Sequence, residues 1–233
     1  MTKPEFGRLI AALRQYEVDP SSGRAWIQRT LAERANLPQK VIANIEQGRK
    51  AHLDADTLVR LADALQLTTL ERREFFALAT PVASADVVRG AHDPADVLTE
   101  MLETLRALRL PAALYDPFYH IVAVNGPGRA LHSAAEVQPA AAPPQPVNVN
   151  FLCLALVPHS PIRRDLQSIW DQFVRMHIHQ FRVMTLRYRH TPYFQQLFAA
   201  LSRYDEFRAT WAATQFDASD FYCELKRYAY GHP

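Results

Sequence analysis

The stretch QRTLAERANLPQKVIANIEQG, residues 28–48, constrains the fold of this chain more than any other. Leu31, Ala32 and Ala35 recur at helical spacing, which predicts a short helix from about Ile27 to Arg34. Asn36 then falls where a tight turn needs positive φ, a conformation that Asn tolerates best after Gly. Pro38 is expected to open the next helix, where its missing N–H costs nothing. Ile42 and Ile45 supply that helix's buried face, and Gly48 is placed to end it in a left-handed cap. Ala32 is small at the point where two steeply crossing helices leave little room. The pattern is a helix-turn-helix, whose second helix can enter a DNA major groove.

Two short amphipathic helices joined by a turn also occur in many all-α proteins, so the residue types on the outer face carry the functional expectation. Gln39, Lys40 and Asn44 lie at the start and along one face of the second helix. Gln and Asn can bond an adenine edge twice, and Lys can donate to guanine. Gln28, Arg24 and Arg49 are expected on phosphates. Residues 24–50 hold six Arg or Lys against Glu33 and Glu46, a local excess of +4 in a chain whose net charge is +2. That excess fits a phosphate footprint on double-stranded DNA.

The run TLAERANLPQKVIANIEQGRK, followed by DTLVRLADALQL, resembles the Cro/repressor-type (XRE) helix-turn-helix family. It departs from that pattern at Asn36, where Gly is usual, and at Pro38, where Ser or Thr commonly caps the recognition helix. In this family an Arg of the first helix often pairs, buried, with the Glu near the end of the recognition helix. The resemblance implies that pairing for Arg14 and Glu46. Without it they would read as an ordinary surface pair, generally under about 1 kcal/mol.

With 48% hydrophobic and 21% charged residues in 233, the chain can bury one or two cores. No apolar run approaches the roughly 20 residues of a membrane span. The N-terminus reads as an amphipathic helix rather than a signal peptide. Cys153 and Cys223 make no disulfide framework or metal motif. Together these features predict a cytoplasmic protein. Residues 1–80 carry 12 basic and 10 acidic side chains and residues 81–233 carry 14 of each, so the positive excess lies with the helix-turn-helix.

The expected architecture is α+β and mostly helical. Residues 1–80 read as a five-helix helix-turn-helix domain. Its first helix carries Phe6, Leu9, Ile10 and Leu13; its fourth runs from Asp54 to Leu65; its fifth starts at a Thr68–Glu71 capping box with Phe75, Phe76 and Leu78 inward. Residues 81–95 read as a linker and residues 96–233 as a second domain. There, a helix to about Arg109 carries Leu98, Met101, Leu102, Leu105 and Leu108 on one face. Two short strands flank an Asp116–Pro117 turn. Residues 138–149, with four prolines, are expected to be an exposed loop. A helix over 163–188 with Leu166, Ile169, Trp170, Phe173, Val174, Ile178 and Phe181 inward would be the longest, with shorter ones around 192–202 and 205–214.

LPAALYD…IVAVN with Asn125, NFLCLAL from Asn150, Trp170, Phe181-Arg182 and EFRATW (206–211) resemble the MmyB-like ligand-binding domain. The resemblance implies a PAS-like sensor with a small antiparallel sheet and long helices. It also implies further strands after Lys226-Arg227…His232-Pro233, where this sequence stops, so either the sequence is a shortened one or the sensor sheet is incomplete. A PAS-like fold leaves an apolar cavity between sheet and helices. Tyr115, Val122, Val124, Phe151, Trp170, Met176 and Phe181 would line it, or else serve simply as core. Arg182 would bind a ligand carboxylate through two hydrogen bonds, or else be a surface or ion-paired Arg on the helix flank.

Catalytic and metal chemistry is not indicated. His177 and His179 point about 200° apart on a helix and cannot share an ion, so one is expected partly buried and the other solvated. Gly126-Pro127-Gly128 lacks the third glycine of a dinucleotide loop. No nucleophile elbow or phosphate-binding loop is present, and no cofactor is implied. The reading is a non-enzymatic, homodimeric, DNA-binding transcription regulator whose C-terminal domain binds a largely apolar small molecule such as a fatty acid. The alternative is a ligand-independent DNA-binding repressor whose C-terminal half only dimerises.

Overall fold

Local capping chemistry sets the helix ends of the N-terminal domain. The computed structural model describes residues 1–19, 22–50, 52–79, 94–131 and 150–213. Helix α1 (Lys3–Tyr16) starts at a capping box in which the Thr2 hydroxyl accepts from the Glu5 amide and the Glu5 carboxylate accepts from the Thr2 amide at 2.7 Å. Helices α2 (Gln28–Arg34), α3 (Gln39–Glu46) and α4 (Ala55–Ala64) all end in the same way. Asn36, Gly48 and Gln66 take φ of 50°, 67° and 49°. The amide after each reaches back to the third-last helical carbonyl: Leu37 to Ala32, Arg49 to Asn44, Leu67 to Ala62. These are Schellman caps, and they turn the chain sharply between packed helices. Pro38 is the residue just outside α3, with φ −59° and ψ 137°, rather than its first helical residue. Helix α5 (Thr69–Ala79) begins at the expected capping box, with the Thr68 amide donating to Glu71 at 2.9 Å.

The core of this domain holds Phe6, Leu9, Ile10, Leu13, Leu31, Ala32, Ile42, Ile45, Leu61 and Phe75. Gly7 is required where α1 meets the end of α3, because a Cβ there would lie 2.5 Å from the Ile45 carbonyl oxygen and 2.6 Å from that of Glu46. Between α1 and α2, Val18 and Ala25 form an antiparallel bridge closed near Gly23, so Arg24 sits on a small hairpin.

In the second half, α6 (Pro94–Ala107) leads to strands β1 (Ala113–Tyr115) and β2 (Ile121–Val124), paired antiparallel. Asp116 closes their turn by accepting from the Phe118 and His120 amides, both at 2.8 Å. Asn125 ties the sheet to its surroundings. Its side-chain oxygen accepts from Ala112 and Gly128 amides, and its nitrogen donates to the Leu108 and Leu110 carbonyls. Then come α7 (Gly126–Leu131), α8 (Phe151–Leu156, capped by Asn150), α9 (Pro161–Asp165, capped by Ser160), α10 (Trp170–Thr185), α11 (Pro192–Leu201) and α12 (Asp205–Ala212).

Three further expectations are corrected. The helix foreseen over 163–188 is broken: α9 ends at Asp165, a 3-10 turn spans Gln167–Ile169, and α10 gives way to another at Leu186–Tyr188. Both helix types place residues three apart on one face, so apolar spacing alone does not separate them. Leu166 and Ile169 are accordingly only half-buried. The apolar stripe of α6 is not packed as foreseen: Leu105 is buried, but Leu98, Met101 and Leu108 are 43–46% exposed. Val122, placed among the pocket residues, is 47% exposed. It is the extra residue of a bulge, since Leu114 pairs with Ala123 while Tyr115 pairs with Ile121. The linker at 81–95, the loop at 138–149 and the Lys226–Pro233 element lie wholly or largely outside the described residues.

Candidate DNA-reading face and sensor core

Helix α3 is held from behind so that its outer face is free. Glu46, near its end, receives Arg14 Nε at 2.7 Å and Nη2 at 3.0 Å, and Gln28 Nε2 at 2.8 Å. Arg14 also donates to the Trp26 carbonyl at 2.5 Å, and the Trp26 ring carries Arg34 at 4.2 Å. The Arg14 and Glu46 side chains are 11% and 7% exposed, so this is a buried pair and not a surface one. It clamps α1, α2 and α3 together. Gln28 therefore spends its amide nitrogen on Glu46, which leaves its side-chain oxygen for other partners. On the opposite side, Gln39 and Lys40 are exposed at the first turn of α3 and Asn44 is half-buried one turn later. Arg24, on the hairpin, and Arg49, just past α3, are exposed.

The second core is a continuous set of rings. Tyr115 lies 5.2 Å from Phe151 and 5.8 Å from Tyr119; Phe151 lies 5.9 Å from Phe173 and 5.3 Å from His177. Phe181 lies 6.0–6.3 Å from Phe194, Phe207 and Trp211. Of the expected pocket residues, Phe151, Trp170 and Phe181 are buried in this core with Tyr115 packed against it. Val124 and Met176 are half-buried and do not join it.

Polar groups are threaded through the rings. Trp170 Nε1 donates to Glu206 at 2.6 Å, and Glu206 also pairs with Arg163 at 3.0 Å. The Tyr119 hydroxyl donates to Gln180 at 3.0 Å and lies 3.2 Å from His177 Nδ1. Burial pushes the His177 pKa down to about 4 and that of Tyr115 up to about 12. His120 joins Asp116 at 2.8 Å to Tyr193 at 2.5 Å, bracing the strand turn against α11. Cys153 is buried and its thiol pKa rises to about 11, while Cys223 lies outside the described residues.

Arg182 has the ion-paired fate. Its Nε and Nη2 donate to Glu71 at 3.0 and 2.9 Å, and Nη1 donates to the carbonyls of Trp211 and Ala213. His177 and His179 do diverge on α10, and His177 is half-buried against the rings as expected of one of them, but the other is not solvated, since His179 is 1% exposed. Among the described residues no group of three His, Cys, Asp or Glu is placed to hold a metal, and no helix is long and apolar enough to cross a membrane. Sequence reasoning missed Tyr119, Phe173 and His177 as a group, and Glu71 and Arg189 as partners of Arg182. The aromatic spacing of α10 was visible, but its junction with Tyr119 depends on the fold.

Residues 96–229 match the family described as MmyB-like transcription regulator ligand binding domain, and residues 24–72 match one described as Helix-turn-helix. No curated protein matches the chain. The first match spans more than half of the sequence and, with the helix-turn-helix, carries the assignment: the chain belongs to the MmyB-like transcription regulators, DNA-binding proteins that carry a ligand-binding domain.

Proposed function

We propose that the protein acts in the cytoplasm as a homodimer that recognises a specific operator and responds to a largely apolar small molecule such as a fatty acid. Gln39, Lys40 and Asn44 read base edges, while Arg24, Gln28 and Arg49 set the register on phosphates. The observation that carries this reading is the arrangement of α3: its inner face is buried and clamped through Glu46, and its exposed first turn presents Gln39 and Lys40. The ring cluster around Tyr115, Phe151 and Phe173 supplies the apolar contact surface for the ligand, which acts by favouring one arrangement of the dimer. Because Glu71 and two main-chain carbonyls occupy the Arg182 donors, that side chain meets a ligand carboxylate only after giving up those partners.

The test begins with a duplex selected by the full chain from a random pool. Gln39→Ala and Asn44→Ala should each weaken binding to it by about 1–3 kcal/mol and leave random DNA nearly unaffected. Arg24→Ala should weaken both alike and reduce the salt slope. Specific binding unchanged in Gln39→Ala would displace the reading of α3. Native mass spectrometry of freshly purified protein tests the ligand. A second reading, in which the C-terminal half only dimerises, draws on the close ring packing of the core and on the exposed Leu98, Met101 and Leu108 of α6. Absence of any co-purified ligand, with no calorimetric binding across a C8 to C16 fatty-acid series, favours that second reading.

A further inference from the structure

The two domains of the sequence are interlocked in space. Leu186, in the 3-10 turn after α10, is fully buried within the core of the helix-turn-helix domain. In return, Tyr16 at the end of α1 packs edge-on against Phe194 at 5.8 Å and Phe198 at 5.0 Å in the sensor core. Between these exchanged side chains lies Glu71, the capping residue of α5. Its carboxylate receives two donors from Arg182 and one from Arg189, and the three side chains are 0%, 7% and 5% exposed. Arg189 also donates to the Arg182 carbonyl at 3.0 Å, and both guanidiniums lie over the Trp211 ring, 5.1 and 4.9 Å from its centroid.

Burial alone would raise the Glu71 pKa, but the Arg189 and Arg182 charges and their hydrogen bonds hold it at about 2. Glu71 therefore keeps its charge at physiological pH, so the joint responds to displacement of its arginines rather than to protonation. Helix α10 reaches both sides. Trp170, Phe173 and His177 on its first half belong to the ring cluster, and its last turn and the segment after it carry Arg182, Leu186 and Arg189. From α5 the contact runs on to the reading helix. Phe75 meets Phe6 of α1 at 5.2 Å, and Gly7 of α1 abuts the last carbonyls of α3. Each link is a direct side-chain or backbone contact, the kind of contiguous network that can carry coupling.

We infer that α10 transmits the state of the sensor core to the DNA-reading helix, and that Glu71, gripped by Arg182 and Arg189, is the positioning residue at the joint. The inference rests on the proposed DNA-reading role of α3, but its exchange readout below does not depend on DNA.

The test is a double-mutant cycle in the full chain, pairing Phe173→Ala at the sensor end of α10 with Glu71→Gln at the joint. Phe173→Ala should change Kd for the selected duplex by about fivefold or more when Glu71 is present, and by less than about twofold in the Glu71→Gln background. Equal change in both backgrounds, or none in either, overturns the inference. Hydrogen exchange should show α5 and the Leu186–Tyr188 turn opening together, at rates raised about tenfold or more in Glu71→Gln. Rates that rise in one segment alone, or in neither, overturn it as well, whatever the DNA result. Leu186→Ala strikes the same joint without touching its charge and must show the same loss of coupling. If Glu71→Gln does not fold, Leu186→Ala decides by the same criteria.

Discussion

His177 should make the protein acid-labile over a window defined by its burial. The imidazole lies 4.3 Å from the Phe173 ring, 5.3 Å from Phe151 and 5.6 Å from Tyr119. Burial there disfavours the cation and lowers the pKa from 6.5 to about 4. The unfolded chain thus takes up the proton near pH 6.5, while the folded chain resists it until about 4. Between those values the unfolded state holds more protons, so stability is full above pH 6.5, falls as pH drops, and loses no more below about 4 on this account. At 1.36 kcal/mol per unit the loss comes to about 2–3 kcal/mol, the lower end allowing for partial solvent access to the ring. Replacing the ring with another of similar size, His177→Phe, removes the titration while Tyr119 keeps Gln180 as its partner. Urea unfolding at pH 7, 6, 5 and 4 measures the effect. Between pH 7 and 4 the wild type should lose about 2–3 kcal/mol more than His177→Phe, with other titrating groups common to both proteins cancelling. Parallel stability curves for the two proteins would refute the reasoning.

Three further outcomes are expected. Glu46→Ala leaves a buried Arg14 guanidinium without its carboxylate and should destabilise the protein by about 3–5 kcal/mol, with Glu46→Gln recovering part of the loss in thermal melts. At Asn36, where φ is 50°, Gly should be neutral or slightly stabilising and Val should cost about 1–3 kcal/mol by denaturant titration. Asn125→Ala removes three hydrogen bonds that fasten the sheet to the chain after α6 and a fourth from α7, and should cost about 2–4 kcal/mol in the same assay.

The DNA-binding half was legible because its signals are local. Asn36 and Gly48 mark caps whose hydrogen bonds close within six residues, and the Thr68–Glu71 box closes within four. Even there the reach was limited: the Arg14–Glu46 pairing followed from family resemblance, since nothing in its spacing distinguishes a buried pair from a surface one. In the ligand-binding half, the strands and their turn could be read for the same local reason. The bulge that turns Val122 outward could not, because period-2 alternation carries no mark of a skipped pairing.

Glu71 shows where local reading ends. Its position three residues after Thr68 specifies a capping side chain, which it is, but its carboxylate also meets Arg182 and Arg189, more than a hundred residues along the chain. Arg182 likewise showed only that a guanidinium stands beside an apolar face. A cap competes with backbone geometry a few atoms away, so residue type and spacing suffice to choose it. The partner of a buried charge is whichever group the packing of distant helices delivers, and here that was settled by Leu186 and Tyr16 crossing into each other's cores.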